Sequence, residues 1–451
     1  MKEADGSGLE WKRLGFAVGC AVLVRAALFW VAWHRSGIAA IAAGDSASYL
    51  RPGWEMLRHG CFCTTGAVEI DRTPGYPLYA MVFGGLWGRK LLVVTSQIVL
   101  SAVTVVLAAM VARRVFQRTQ AGTAAAFLMA LEPLSVESSV RLLSETLFVF
   151  LLLLLLLCLL WWAEDRGVRW PVASGCLLAA MSYVRPVGYW LWIPITLMMP
   201  VVVSGLYGSG GSWRKVAPWK QAAVFLGVFL LLVAPWQMRN LRETGYAGFS
   251  AVADKNLYFY LAGAVLAQQR GQSLETWQVE SAMDDPVRWV RLHPEQHLWA
   301  AAQRDEWLRK QALQVLLRDS WLFLETYVSG EARLLFSPGA SEFFRLTGRQ
   351  GDGLMGGAQR RWTGWQWLTA ACFEGYLLLL YGLAGKVWWR HCVYRGSLWL
   401  LGGVALYFFV VSGGGQAVSR LRLPAMAIVC VLAGGGTDKR SERSCGDPGR
   451  I

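Results

Sequence analysis

Charge is scarce in this chain. Only 16% of its 451 residues are Asp, Glu, Lys or Arg, against about a quarter in a typical soluble domain. That shortage argues against an ordinary water-soluble fold. Nucleic-acid signatures are missing too: there is no helix-turn-helix, zinc-finger or RNA-binding pattern. The net charge of +14 therefore does not point to nucleic acid. The glycine cluster Gly208–Gly211 lacks the Gly-Lys-Ser/Thr ending of a phosphate loop and reads as an inner loop. No internal repeat is present, so an inverted-repeat transporter finds no support. Nine cysteines form no disulfide framework. Cys20, Cys158, Cys176, Cys372 and Cys430 lie in or beside apolar stretches, and Cys392 and Cys445 fall on the inner side. Only Cys61 and Cys63 are clearly outside. With His59 they make His-x-Cys-x-Cys, too tight for a four-ligand zinc site. They read as an incidental pair or as partners of a disulfide to something else.

Hydrophobic length is what the chain has instead. It is 55% hydrophobic, with a mean hydropathy of +0.36. A membrane span needs about 20 mostly apolar residues. The clearest runs are Leu14–Trp33, Leu91–Val111, Leu142–Trp162, Gln221–Trp236, Trp367–Ala384 and Ser397–Val411. Weaker ones are Ala121–Val136, Pro171–Val184, Val187–Ser204 and Leu423–Gly434. The pattern predicts an all-α polytopic membrane protein of about ten spans. Leu423–Gly434 is too short to cross alone. The first run exceeds a signal-peptide core and reads as an uncleaved span. Arg25 lies near its middle, where a charge faces either a protein interior or, by snorkelling, an interface.

Lys and Arg in short loops set the orientation. With the N-terminus inside, Lys12, Arg13, Arg113, Arg114, Arg118, Arg166, Arg169, Arg214, Lys215, Lys220, Lys386, Arg390, Arg395, Lys439, Arg440 and Arg443 all fall inside. Both termini are then cytoplasmic. Residues 1–236 form a seven-span module whose first outer loop (35–90) carries the candidate chemistry. Residues 237–366 form an outer segment with interfacial helices, including the amphipathic stretches Val315–Leu324 and Ala332–Phe336. Residues 367–451 hold three spans and a short tail. Gly351-Asp352-Gly353 and Gly356-Gly357 mark a flexible stretch before the eighth span. The 24 tryptophans suit aromatic belts at the two interfaces, and the flanking basic residues suit anionic lipids.

The first outer loop reads Gly44-Asp45-Ser46-Ala47-Ser48-Tyr49 and then Asp71-Arg72-Thr73-Pro74-Gly75-Tyr76-Pro77. A carboxylate in a partly dry pocket can act as a general base or hold a metal. Asp45 or Ser46 can equally cap a helix. Glu137, Arg141 and Glu145 are spaced four apart, which on one helix gives either an ion-pair ladder or a second acidic site facing Asp45. Arg185, Arg239, Arg420 and Arg422 recur beside span ends, where guanidinium groups can grip phosphate or simply anchor the interface.

These pieces occur in a recognisable order. Gly44-Asp45-Ser46-x-x-Tyr49, Arg72-Thr73-Pro74-Gly75-Tyr76-Pro77-Leu78, Leu143-Ser144-Glu145-Thr146-Leu147-Phe148, Arg185-Pro186-x-Gly188, Pro235-Trp236-x-x-Arg239-Asn240 and Arg420-x-Arg422-Leu423-Pro424 cover roughly residues 10–435. Together they resemble the GT-C superfamily of integral-membrane glycosyltransferases. The nearest groups are bacterial relatives of protein O-mannosyltransferases and of lipid A aminoarabinose transferases. The resemblance implies a GT-C-type helical bundle in the bacterial cytoplasmic membrane with an outward-facing site. It implies a polyprenyl-phosphate sugar as donor, and a lipid, glycan or protein as acceptor. It implies Asp45 and Glu145 as catalytic, Arg72, Arg185, Arg239, Arg420 and Arg422 as donor-phosphate ligands, and Tyr49, Tyr76, Glu137, Arg141 and Asn240 as cavity or acceptor residues. A divalent cation is open, since the loop lacks a paired acidic motif. The competing class is a transporter or flippase for a lipid-linked glycan.

Overall fold

A computed structural model of the chain describes residues 4–42, 44–64, 66–84, 89–207, 218–348, 363–391, 396–415 and 417–437. The glycine stretches at 208–211, 351–353 and 356–357 lie outside these residues, as do Arg214, Lys215, Cys392, Arg395, Cys445 and the tail lysine and arginines.

The ten apolar runs are largely helical, but Ala121–Val136 is not one helix: it breaks at Glu132, whose backbone is extended, and the run from Leu142 becomes helical only at Glu145. α1 (Ala4–Ser36) leads into the first loop. That loop holds α2 (Ser46–His59), a two-residue hairpin of β1 (Cys63–Thr64) and β2 (Ala67–Val68), and α3 (Gly75–Phe83). α4 (Lys90–Phe116), α5 (Thr119–Leu131), a short α6 (Pro133–Ser139), α7 (Glu145–Asp165), α8 (Arg169–Val184), α9 (Trp192–Tyr207) and α10 (Pro218–Thr244) follow. The 245–348 segment contains α11 (Val252–Asn256), α12 (Ala301–Arg318) and α13 (Ser320–Phe336). α14 (Gly364–His391), α15 (Gly396–Ser412) and α16 (Leu423–Gly436) complete the bundle. Among the described residues five helices are long and apolar enough to cross a membrane by themselves: α1, α4, α7, α10 and α14.

Burial separates centre from periphery. The apolar stretch of α7 is 72% buried, while those of α1, α10 and α14 are 17–22% buried. α7 and α16 are therefore inner helices, and the other three face lipid on most of their surface. α16 packs against α4, α5, α7, α14 and α15. Nearly all of its residues are buried. A helix enclosed by other helices has little contact with lipid and need not match the bilayer thickness, which accounts for its shortness.

Arg25 faces the interior and is fully buried. Its guanidinium donates to Ser101 Oγ on α4 at 2.7 Å, to the Ala130 carbonyl of α5 at 2.8 Å and to Ser135 Oγ on α6 at 3.0 Å. One side chain thus pins three elements to α1.

Two sequence expectations change here. Val315–Leu324 is not one amphipathic helix, because the chain turns at Asp319 between α12 and α13. The tryptophans of the 245–348 segment do not all serve an interface. Trp277 and Trp289 are buried and, with Trp307, Tyr258 and Phe259, form an aromatic core. Trp321 is exposed, as are Leu313, Leu317, Leu324 and Val328.

Candidate active site

The site forms where the first loop meets the ends of α7, α8 and α16. Gly60 closes α2 in the left-handed region, at φ 69°. Glu69 then holds the next turn. Its Oε1 accepts from the backbone N–H groups of Asp71 and Arg72, at 2.8 and 3.0 Å. The Pro74-Gly75-Tyr76-Pro77 turn lies against the end of α8. A Cβ on Gly75 would come within 2.6 Å of the Tyr183 backbone, so only glycine permits this approach. Tyr76 is fully buried and donates to Gln97 Oε1 at 2.7 Å; Gln97 Nε2 in turn donates to the Arg141 carbonyl at 2.6 Å. The motif therefore fixes the turn that follows Arg72 against the end of α8, next to Arg185.

Asp45 occupies the residue before α2, yet its side chain makes no cap hydrogen bond. The carboxylate turns instead to two arginines. Arg72 Nη2 lies 3.5 Å from Oδ1, and Arg420 Nη2 donates to Oδ2. Burial pushes the Asp45 carboxyl up, but Arg420 and Arg72 outweigh it, and the group sits below its ordinary value. The Arg72 guanidinium also lies over the Tyr49 ring, 4.3 Å from its centroid. Tyr49 meets Tyr76 edge-on at 5.3 Å, and its hydroxyl accepts from Ser144 Oγ at 3.2 Å. Ser144 immediately precedes Glu145, the first residue of α7. Glu145 Oε1 pairs with Arg185 Nη1 at 2.6 Å, both side chains being largely buried. Arg420 also feels the Glu145 charge. Three guanidinium groups against two carboxylates leave one net positive charge in the cluster.

The remaining expected residues go elsewhere. Glu137, Arg141 and Glu145 do not share a helix face. Glu137 lies on α6, Arg141 in the turn after it, and Glu145 starts α7. Arg141 pairs with Glu342 at 2.6 Å, so the three make no ladder. Arg239 donates to the Glu69 and Phe62 carbonyls, at 2.6 and 2.8 Å. It holds the base of the hairpin. Asn240 donates to the Gly248 and Phe249 carbonyls. Arg422 is buried and donates to the Leu334 carbonyl at 2.6 Å. Cys61 and Cys63 are bonded to each other on either side of Phe62. Glu69 and Gln97, not singled out from the sequence, support the site. Neither carries a sequence signal beyond residue type.

A divalent cation does not fit the carboxylates. Among the described residues no three His, Cys, Asp or Glu side chains are grouped to hold one. Asp45 and Glu145 are each engaged by arginine, a cationic setting that repels a metal.

The architecture, with its five membrane-length apolar helices among the described residues, defines a multi-pass membrane protein. Residues 71–238 match the family model described as dolichyl-phosphate-mannose-protein mannosyltransferase, less than half of the chain. The fold matches the oligosaccharyltransferase AglB of Archaeoglobus fulgidus solved with an inhibitory peptide and a dolichol-phosphate. That match has a TM-score of 0.55 and 13% identity, and covers 95% of this chain and 50% of that one. An Archaeoglobus fulgidus oligosaccharyltransferase tethered to an acceptor peptide gives 0.54 and 14%, covering 95% and 49%. ArnT of Cupriavidus metallidurans in the apo state gives 0.49 and 14%, covering 94% and 60%, and at that score adds no argument. This chain spans about half the length of the AglB chains it matches, and at such identity the likeness concerns the fold. No curated protein matches it.

Proposed function

We propose that the protein is a membrane glycosyltransferase that moves a sugar from a polyprenyl-phosphate donor to an acceptor on the outer side of the bacterial cytoplasmic membrane. The observation that carries this reading is the Asp45 carboxylate held by Arg72 and Arg420 beside the Glu145–Arg185 pair. The family-model match and the shared fold with an enzyme solved with dolichol-phosphate support a lipid-linked donor.

The chemistry follows from the charges. A donor phosphate entering the cluster competes with Asp45 for Arg72 and Arg420, and these bind its oxygens with charge-assisted hydrogen bonds. The exchange frees the Asp45 carboxylate. An acceptor hydroxyl then attacks the anomeric carbon and its proton passes to Asp45. The bond from that carbon to the phosphate oxygen breaks, and polyprenyl phosphate leaves as an anion stabilised by the arginines. Direct displacement inverts the anomeric centre. A phosphate acceptor needs less help from a base, and Asp45 then mainly orients it. Glu145 holds Arg185 in place and lines the cavity with Tyr49 and Tyr76. Arg239, Asn240 and Arg422 support from further out, since Arg239 Nη1 and Nη2, Asn240 Nδ2 and Arg422 Nη1 donate to backbone carbonyls.

The exposed apolar side of α12 and α13 continues toward the end of α15. Tyr327 of α13 donates to the Val410 carbonyl, and Leu406, Val410 and Val411 are exposed there. This continuity supports helices lying in the outer interface. The basic inner loops support a reading with both termini in the cytoplasm; cysteines introduced at Ala47 and Ser441 should then label from opposite sides.

The deciding experiment presents purified protein in detergent with a panel of radiolabelled polyprenyl-phosphate sugars and acceptors from a membrane extract. The expected result is sugar transfer that disappears in Asp45→Asn. Absence of transfer with every donor, together with movement of a lipid-linked glycan across proteoliposomes, would replace this reading with a transporter.

A further inference from the structure

Arg72 sits at the end of a turn that is gripped from two directions. Glu69 holds its backbone from within the first loop. The other grip comes from the 245–348 segment. The Ala251 N–H donates to the Ile70 carbonyl at 3.0 Å, and Ser250 Oγ donates to the Asp71 carbonyl at 2.6 Å. Lys255 of α11 pairs through Nζ with Asp71 Oδ2 at 2.5 Å. Asp71 and Arg72 are adjacent, and their side chains have different partners. Asp71 is held by Lys255, while Arg72 reaches Asp45 and Tyr49. Tension on one is therefore felt by the other through a single peptide unit.

Lys255 is itself a shared cation. Asp305 of α12 is buried, with 2% exposure, and its charge acts on Lys255. Asp254, beside Lys255, is engaged separately by the Tyr246 hydroxyl at 2.8 Å and by Arg309 at 3.8 Å. The segment thus presents one ammonium to the first loop on a well-partnered support.

We infer that Lys255 is a positioning residue: by holding Asp71 it sets where the Arg72 guanidinium stands against Asp45 and an incoming donor phosphate. The 245–348 segment then shapes the phosphate site through the turn that carries Arg72. This rests on the reading of Arg72 as a donor-phosphate residue.

The test uses full-length protein in detergent and farnesyl monophosphate as the probe, with binding measured by calorimetry. Wild-type protein should bind, and Arg72→Ala should bind more weakly. Lys255→Met removes the charge and keeps the length; it should weaken binding about five- to tenfold, and Lys255→Arg should restore it to within about threefold. In the Arg72→Ala background, Lys255→Met should add less than about twofold, because residues acting through one another are not additive. Ser250→Ala loosens the same turn more gently, and should weaken binding by about two- to threefold with the same loss of effect in Arg72→Ala. It serves if Lys255→Met does not fold. No binding by wild-type protein, or normal binding by Arg72→Ala, overturns the donor-phosphate reading itself. Normal binding by Lys255→Met, or an equal loss in both backgrounds, overturns the positioning role alone.

Discussion

Asp45→Asn separates binding from chemistry, and the two effects have opposite signs. Asparagine keeps the shape but loses the charge and the proton acceptor. Loss of a general base costs about 10²–10⁴-fold in rate. Binding should move the other way. In the native cluster Asp45 is paired with Arg72 and Arg420, and on the proposed function it competes with the donor phosphate for them. Removing it raises the net charge of the cluster by one unit. The Asp45 side chain is 35% exposed, so the effective dielectric lies between the values for a protein surface and for water. At ~40, a unit charge ~6 Å from the phosphate contributes about 1.4 kcal/mol, or about tenfold in affinity. The variant should therefore bind polyprenyl phosphate up to about tenfold more tightly while turning over at least a hundredfold more slowly. Calorimetry and single-turnover transfer, on protein of verified folding, measure the two separately. Weaker donor binding with near-normal turnover would refute both the competition and the base role.

Arg25→Met leaves Ser101, Ser135 and the Ala130 carbonyl without their shared donor; at about 0.6–1.7 kcal/mol for each hydrogen bond in a membrane protein, stability should fall by about 2–5 kcal/mol. Unfolding in mixed detergent–SDS micelles measures it, and donor affinity of the folded fraction should be unchanged. Burial pushes the Asp305 carboxyl up to about 7, with Asp71 and Asp254 adding to the rise and Lys255 opposing it. A raised folded-state value means the contribution of Asp305 is greatest below the unfolded-state value near ~4 and is lost as pH rises through about 7. Thermal midpoints between pH 4 and 8 should show a decline that Asp305→Asn flattens. A chelator in excess should leave transfer unchanged, because the arginine-held carboxylates do not suit a divalent cation; a rate restored only by added metal would contradict this.

Much of the bundle was legible because long apolar runs have few alternatives. The inner or outer position of each helix was not. α7 and α14 are both long and apolar by sequence, and only packing separates a mostly buried helix from a lipid-facing one. At the site, Asp45 and Arg72 stand in one loop and could be associated from the turn residues between them. Arg420 lies 375 residues from Asp45, and only its place in an ordered set of motifs linked it to the loop. Glu137, Arg141 and Glu145 were misread because a spacing of four says nothing unless the helix is continuous. The chain instead turns between Val140 and Ser144. Arg239 and Arg422 were correctly placed near span ends, but residue type does not reveal that their donors point at backbone carbonyls. Lys255 carried no sequence signal, since nothing near it marks a partner 184 residues away.

On the proposed function, paired charges suit a site that must admit an anion at a membrane surface. An isolated arginine beside a low-dielectric bundle is costly, and so is an isolated carboxylate. Pairing Asp45 with Arg72 and Arg420, and Glu145 with Arg185, offsets the cost of both and leaves only a modest positive excess. A phosphate need not find bare guanidinium groups. It has only to be a better partner than a partly exposed aspartate, which a more highly charged group with more acceptor oxygens can be. The exchange couples two requirements of transfer. The donor gains its phosphate ligands in the same event that gives Asp45 back its acceptor capacity, so the base is released when there is a sugar to transfer. A carboxylate placed away from the arginines would be available at all times and would not sense the donor. On the proposed function the double contact to Asp45 serves the chemistry as well as the fold, and it predicts that donor binding precedes productive binding of the acceptor.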